Sequence, residues 1–351
     1  MKIKNLIFLA IAASIACSSP RQNVMKTLSE ASRKGKFLFA HQDGLSYGKY
    51  WTVKDVLNDP VNRSDVKDAC GSFPAIAGFD LGGIELGDSA NLDSVSFEFM
   101  RRAAKKHIER GGLVTISWHM RNPLTEGTTW DVSSNRVVES VLEGGENHQK
   151  FMEWLGRGVE FLKSMEGIPI IFRPWHENTA DWFWWGSPYC NPEQFRALWA
   201  LTYEAFKEVD NLIWAFSPTG KCGEEEYMKF YAGDDMVDIV GFDLYQSGFN
   251  PDSVEKYIEL MQSALEMVSK IAKERGKLYC VAETGLEGVP DLQWWTGTLL
   301  KALEGYNPCY VLVWRNAWER PEHYYAPFKD SHDSEDFRSF IASGRVQMLD
   351  E

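Results

Sequence analysis

The chain has 351 residues, 44% of them hydrophobic and 25% charged, a composition that fits a globular protein and excludes a disordered or fibrous one. Its formal net charge of −13 argues against a nucleic-acid partner, because binding phosphates needs a basic face. A neutral polymer is compatible with this charge without being required by it.

The chain opens with MKIKNLIFLAIAASIAC, two lysines followed by an apolar run from Leu6 to Ala13 and small residues before Cys17. This reads as a signal peptide, too short and wrongly flanked for a transmembrane helix. Ser14-Ile15-Ala16-Cys17 resembles a bacterial lipobox, so residues 1–17 are expected to be removed up to an acylated Cys17. The leader carries two lysines and no acid, so its loss takes the net charge from −13 to −15. The protein is then exported and lipid-anchored to a membrane, facing the periplasm or the cell surface. Residues 18–23 (SSPRQN) read as a tether, and residues 24–351 as one catalytic domain expected to act as a monomer. The remaining cysteines (Cys70, Cys190, Cys222, Cys280 and Cys309) are odd in number and widely spaced, which speaks against a metal cluster. Cys280 and Cys309 fall in predicted strands as buried residues.

Beyond residue 36, short β-rich apolar runs alternate with helical stretches. The runs are Phe37–Gln42, Pro74–Gly82, Leu113–His119, Ile168–Glu177, Asn211–Pro218, Asp238–Gln246, Lys277–Gly285 and Cys309–Trp318. Between them, Ser94–Arg110, Asn191–Val209 and Ser253–Arg275 show three- and four-residue apolar spacing, and glycines at 111, 112 and 276 mark helix ends. Eight strands each followed by helix predict a single (β/α)₈ barrel; no GxGxxG follows the first strand, which disfavours a doubly wound sheet. The stretches Asp43–Phe73 and Met120–Gly144 are long for βα connections.

In such a barrel, chemistry gathers at the C-terminal strand ends. Here they carry His41-Gln42, Asp80, Trp118-His119, Trp175-His176-Glu177, Asp243, Tyr245, Glu283 and Trp314-Arg315-Asn316. Glycoside hydrolysis needs two carboxyl groups, one protonated and one ionised. Glu177 on the fourth strand and Glu283 on the seventh suit it: a barrel roughly 15 Å across separates them by about 14 Å at the backbone and leaves roughly 6 Å between carboxyl groups. Asp80 and Asp243 could pair at other distances. The aromatic clusters, Trp182 with Trp184 and Trp185 among them, suit either a sugar-stacking cleft or a core; Trp184 and Trp185 cannot both face one cleft, so one is expected to pack. His119 and His176 could equally be structural histidines, and Arg315 a structural partner of Asp243. A zinc site is disfavoured by the missing HxxxH spacing, and no cofactor is expected.

RPWHENTADWFWWG (Arg173–Gly186) resembles the acid/base signature of glycoside hydrolase family 26, and Glu283-Thr284-Gly285 its nucleophile motif. VGFDLYQ (Val240–Gln246), SWH (Ser117–His119) and VWRNAW (Val313–Trp318) also match, so the resemblance covers nearly the whole mature chain. It implies that Glu177 is the acid/base and Glu283 the nucleophile of a retaining hydrolase. His176 would hold and orient the acid's proton. His119 and Tyr245 would line the subsite of the reacting sugar, with Tyr245 close to Glu283. Trp182 would stack near the cleavage point, and Trp314 with Arg315 would contact the next ring. The implied substrate is β-1,4-mannan, galactomannan or glucomannan, cut internally or released as disaccharide. The alternatives are β-1,3-xylan, mixed-linkage glucan, or a sugar-binding lipoprotein without catalysis.

Overall fold

A computed structural model describes residues 19–58 and 62–349; the expected leader and its Cys17 lie outside them. Eight parallel strands close into a barrel: β1 (Phe37–Gln42), β2 (Ile76–Asp80), β3 (Leu113–Ser117), β4 (Ile170–Arg173), β5 (Leu212–Phe216), β6 (Ile239–Gln246), β7 (Leu278–Leu286) and β8 (Tyr310–Val313). Each pairs with the next in sequence, and β1 completes the ring by pairing with both β8 and β2. All eight expected strands are present, several shorter at one or both ends because the last residues turn out of the sheet as βα loops. A short β9 (Val346–Gln347) adds to the start of β1 at Phe37 and Leu38, below the point where β2 begins to pair.

The strands bury both faces, as a parallel barrel requires. Inside, Leu38, Ala40, Ile76, Ile171, Ile213, Ile239, Ala282 and Leu312 form one apolar cluster. Outside, a larger cluster joins the sheet to the surrounding helices. The predicted helices occur at Phe97–Glu109, Pro192–Ala205 and Pro251–Arg275. The last ends at Gly276, whose φ of 66° supplies the left-handed cap that a side chain would resist.

One expectation is overturned. Of the segment read as a tether, Ser18 lies outside the described residues, and Pro20–Asn23 form the first turn of a helix, Pro20–Arg33. Its start is specified locally: Ser19 caps Gln22, Gln22 caps Ser19 in return, and Pro20 stands at the first helical position. Val24, Leu28 and Ala31 pack into the inner cluster at the lower end of the barrel, while Arg21 bonds the Leu212 carbonyl and pairs with Asp238. Residues 20–23 are thus the mostly exposed opening turn of a helix whose later residues close the lower end of the barrel.

Candidate active site

The strand ends converge on a cup of charged groups. In β7 the pairing with β6 slips between Phe242 and Asp243, so that Asp243 faces Glu283 directly. A bulge of this kind re-aims side chains, and here it sets two carboxylates side by side. Glu177 comes from the turn after β4, where Trp175 and Glu177 both hold φ of 53°. That left-handed backbone is costly for non-glycine residues, by about 1–3 kcal/mol each, and persists only where neighbours fix it. The fixing bonds are present: Glu177 N–H to the Ser217 carbonyl (2.8 Å), the Trp185 indole to the His176 carbonyl (2.8 Å) and the Trp175 indole to Thr202 Oγ1 (3.0 Å).

Oxygens of Glu177, Asp243 and Glu283 lie within 4.8 Å of one another. This agrees with the roughly 5–5.5 Å spacing of retaining glycosidases and falls short of the roughly 6.5–9.5 Å that leaves room for an inverting enzyme's water. The two glutamates have opposite surroundings. Glu283 Oε1 accepts from the Arg173 guanidinium, and Glu283 Oε2 accepts from the Tyr245 hydroxyl at 2.6 Å. Arg173 also reaches Asp243 Oδ2 at 2.9 Å, so one buried cation holds two buried carboxyl groups. Glu177 Oε2 accepts from the Trp182 indole at 2.6 Å. Burial, then the charge of Glu283, pushes the Glu177 carboxyl up to about 7, with Trp182, Arg173 and His119 pulling the other way. One carboxyl is thus gripped by two donors, while its neighbour keeps its proton near neutral pH.

A second chain of contacts flanks this pair. Asp80 Oδ2 accepts from Ser117 Oγ (2.6 Å) and binds His119 Nδ1 (2.7 Å), and His119 Nε2 lies 3.2 Å from His176 Nε2. Burial works against a charged His119, but Asp80 outweighs it and raises the imidazole's pKa. Burial first, then the charges of Arg173 and His119, holds His176 well below the usual histidine range. Trp130 stacks on His119 at 5.6 Å, and the Trp314 ring approaches His119 edge-on at 6.0 Å.

The structure brings Glu177, Glu283, His119, Tyr245, Trp182 and Trp314 together around one cleft and revises three of the expected relationships. His176 is buried behind His119 and makes no hydrogen bond to the Glu177 carboxyl, which is held by Trp182 instead. Arg315 does not pair with Asp243, whose partner is Arg173; it contacts Tyr47 (3.2 Å), Asp93 (3.1 Å) and Glu319 (2.8 Å). Trp184 and Trp185 are both fully buried, so neither faces the cleft. Sequence reasoning assigned no role to Arg173, although it opens the quoted RPWHEN motif; its pairing with charges on two distant strands was the missing information. Asp93 and Tyr47 stand in loops with no periodic pattern to single them out.

A closed parallel barrel with two unequal carboxyl groups at retaining separation defines the class of barrel glycosidases. Within that class the comparisons are specific. The glycosyl hydrolase family 26 sequence model matches residues 16–288, and the chain belongs to this family. A GH26 β-mannanase from Bacteroides ovatus superposes with a TM-score of 0.89 at 42% identity, covering 95% of this chain and 96% of that one. The catalytic domain of an endo-β-1,4-mannanase from Bacillus sp. JAMB-750 gives a TM-score of 0.85 at 27% identity, covering 95% and 92%. A mannan endo-1,4-β-mannosidase from Bifidobacterium adolescentis is 28% identical over 333 residues, 87% of this chain and 33% of that protein. The chain spans between a third and two thirds of the length of the first curated relatives it matches.

Proposed function

We propose that this protein hydrolyses β-1,4-mannosidic bonds in mannan, galactomannan or glucomannan with retention of configuration. The reading rests on the unequal pair, Glu177 protonated near neutrality and Glu283 fixed by Arg173 and Tyr245. Its substrate is supported by family membership and by relatives named as mannanases. In the first step a Glu283 oxygen bonds to the anomeric carbon as the glycosidic C–O bond breaks, and the Glu177 proton passes to the leaving oxygen. Glu283 thereby loses its charge, the repulsion on Glu177 falls, and Glu177 becomes a better carboxylate. In the second step Glu177 takes a proton from water, the water oxygen bonds to the anomeric carbon, and the ester to Glu283 breaks.

Supporting roles follow from position. Tyr245 and Arg173 orient Glu283, and Trp182 orients Glu177. His119, braced by Asp80 and Trp130, lines the subsite of the reacting sugar, and Trp314 with Arg315 flanks the next ring. The same proposal includes export and acylation at Cys17, for which the Met1–Cys17 run is the support, and action as a monomer.

The decisive experiment is product stereochemistry on linear mannan, with xylan and mixed-linkage glucan in parallel. A retained anomer from mannan is expected, as is a glycosyl azide of inverted configuration from Glu283→Ala supplied with azide. An inverted wild-type product, or turnover confined to the other polymers, would overturn the assignment.

A further inference from the structure

Beside the subsite of His119 lies a recess of about 140 Å³ between the loops that follow β2 and β3. The two loops are fastened together beneath it by the buried Glu85. Its carboxylate accepts from the Trp118 indole (3.0 Å), Arg121 N–H (2.8 Å) and Gly83 N–H (2.9 Å). The glycine pair at 82 and 83 shapes the wall. A Cβ on Gly82 would come within 2.4 Å of Leu92 and 2.8 Å of the His119 carbonyl, and Gly83 has a φ of 101°. The recess is therefore preformed and fixed on elements that hold the catalytic face.

Its lining is amphipathic. Leu86, Leu92 and Trp130 are 41%, 45% and 49% exposed and account for three of the nine exposed large apolar side chains among the described residues. Asp88 presents an exposed carboxylate, which can accept from two neighbouring hydroxyls. Thr129 Oγ1, also in the lining, is buried and has no hydrogen-bond partner among the described residues. The guanidinium of Arg121 is already spent on the Gly127 and Glu126 carbonyls, which disfavours an anion as the occupant. Apolar faces beside hydroxyl acceptors match a sugar ring. The recess is small, on the scale of a ring rather than of an extended chain.

We propose that this recess takes a single hexose pendant on the polysaccharide backbone, such as the α-1,6-linked galactose of galactomannan, carried on a ring bound at or next to His119. The proposal rests on the mannanase reading above and adds to it a tolerance for branching.

The test compares binding, by calorimetry in a Glu283→Ala background, of linear mannopentaose and a panel of its singly galactosylated isomers. One isomer is expected to bind at least as tightly as the linear chain. Thr128→Trp, which fills the mouth of the recess, should weaken that isomer about tenfold and change the linear ligand less than twofold. Asp88→Ala, a change at an exposed side chain, should weaken the same isomer threefold or more with the linear ligand again unaffected. Parallel losses on both ligands, or no loss on either in both variants, would overturn the proposal. Hydrolysis of linear mannan by the wild type is scored separately. Its absence with selective binding of the branched isomer would sink the functional reading and leave the recess standing.

Discussion

The Trp182 indole donates to Glu177 Oε2 at 2.6 Å, and among the described residues it is the one side chain that hydrogen-bonds that carboxyl group. The bond favours the ionised form, opposing the burial and the Glu283 charge that raise the proton affinity to about 7. Trp182→Phe keeps a ring in place and removes the donor. The alkaline limb of kcat/KM, which reports loss of the proton from Glu177 in the free enzyme, should move to higher pH, and the maximum should fall about tenfold. A limb that stays in place or moves down would show that Trp182 does not act on Glu177.

Glu177 also makes stability depend on pH, with a definite sign. Its folded pKa of about 7 lies above the ordinary 4.5, so the folded state binds its proton more tightly than the unfolded chain does. The associated stability is complete below about pH 4.5 and is lost as pH rises through about 7. Glu177→Gln cannot ionise and escapes that loss. The variant should match the wild type in urea unfolding at pH 4 and exceed it at pH 8 by up to about 3 kcal/mol, at 1.36 kcal/mol per pKa unit. An equal difference at both pH values would contradict the assignment of the raised proton affinity to Glu177.

Arg173 balances Asp243 and Glu283 in a site from which water is largely excluded. Arg173→Met leaves both carboxylates without their cation, at a cost of about 3–5 kcal/mol. Turnover on mannan should fall by at least about 10³, since Glu283 loses the donor that fixes its attacking geometry. Arg173→Lys, which keeps the charge but cannot span both partners with a fork, should recover most of the stability and little of the activity. Full activity in the lysine variant would mean that charge alone, not bidentate placement, is what Arg173 supplies.

The strands and the barrel were legible because β-rich runs such as LVTIS and IVGFD alternate with helix-spaced segments, and a parallel barrel buries strands on both faces. Glu177 and Glu283 were legible as two of four strand-end carboxyl groups whose separation suits a barrel of this size, and the resemblance of their motifs to family 26 singled them out. The Asp243–Glu283 juxtaposition was not, since it depends on a bulge that shifts register by one residue. His176 next to Glu177 in sequence suggested contact; the left-handed backbone at Trp175 and Glu177 directs neighbouring side chains apart, and the partner comes instead from five residues downstream. The helix at Pro20 carried a readable start in Ser19-Pro20-Arg21-Gln22, but its polar opening turn looks like a spacer until its apolar side is seen against the barrel floor.

That helix bears on anchoring. With Arg21 fixed to Asp238 and the Leu212 carbonyl at the lower end of the barrel, an acyl group on Cys17 would hold that end towards the membrane and present the catalytic face away from it. Cys17→Ser should shift the protein from the membrane to the soluble fraction with unchanged specific activity. Wild-type distribution of the serine variant would refute acylation at this residue.

Arg315 marks a place where the mode of attack on the polymer can be tested. Its guanidinium draws together Tyr47 from the loop after β1, Asp93 from the loop after β2, and Glu319 beyond β8. The loop after β1 is fastened further by Asp65, which binds Lys49 N–H (2.6 Å), the Trp51 indole (2.7 Å) and Asn316 (2.9 Å). Internal cleavage requires the chain to run past this knot, and cleavage from an end requires the knot to stop it. An open groove needs no specific contact to a chain terminus, so internal cleavage is the expected mode. Viscosity and reducing ends followed together on soluble mannan separate the two, because a few internal cuts shorten the chains greatly while terminal cuts barely do. Viscosity should collapse while few reducing ends have appeared. Reducing ends rising at nearly constant viscosity, with disaccharide as the sole early product, would instead mean that the Arg315–Asp93 pair closes the groove; Asp93→Ala should then restore the early collapse, since it removes one side of the closure and leaves Glu177 and Glu283 in place.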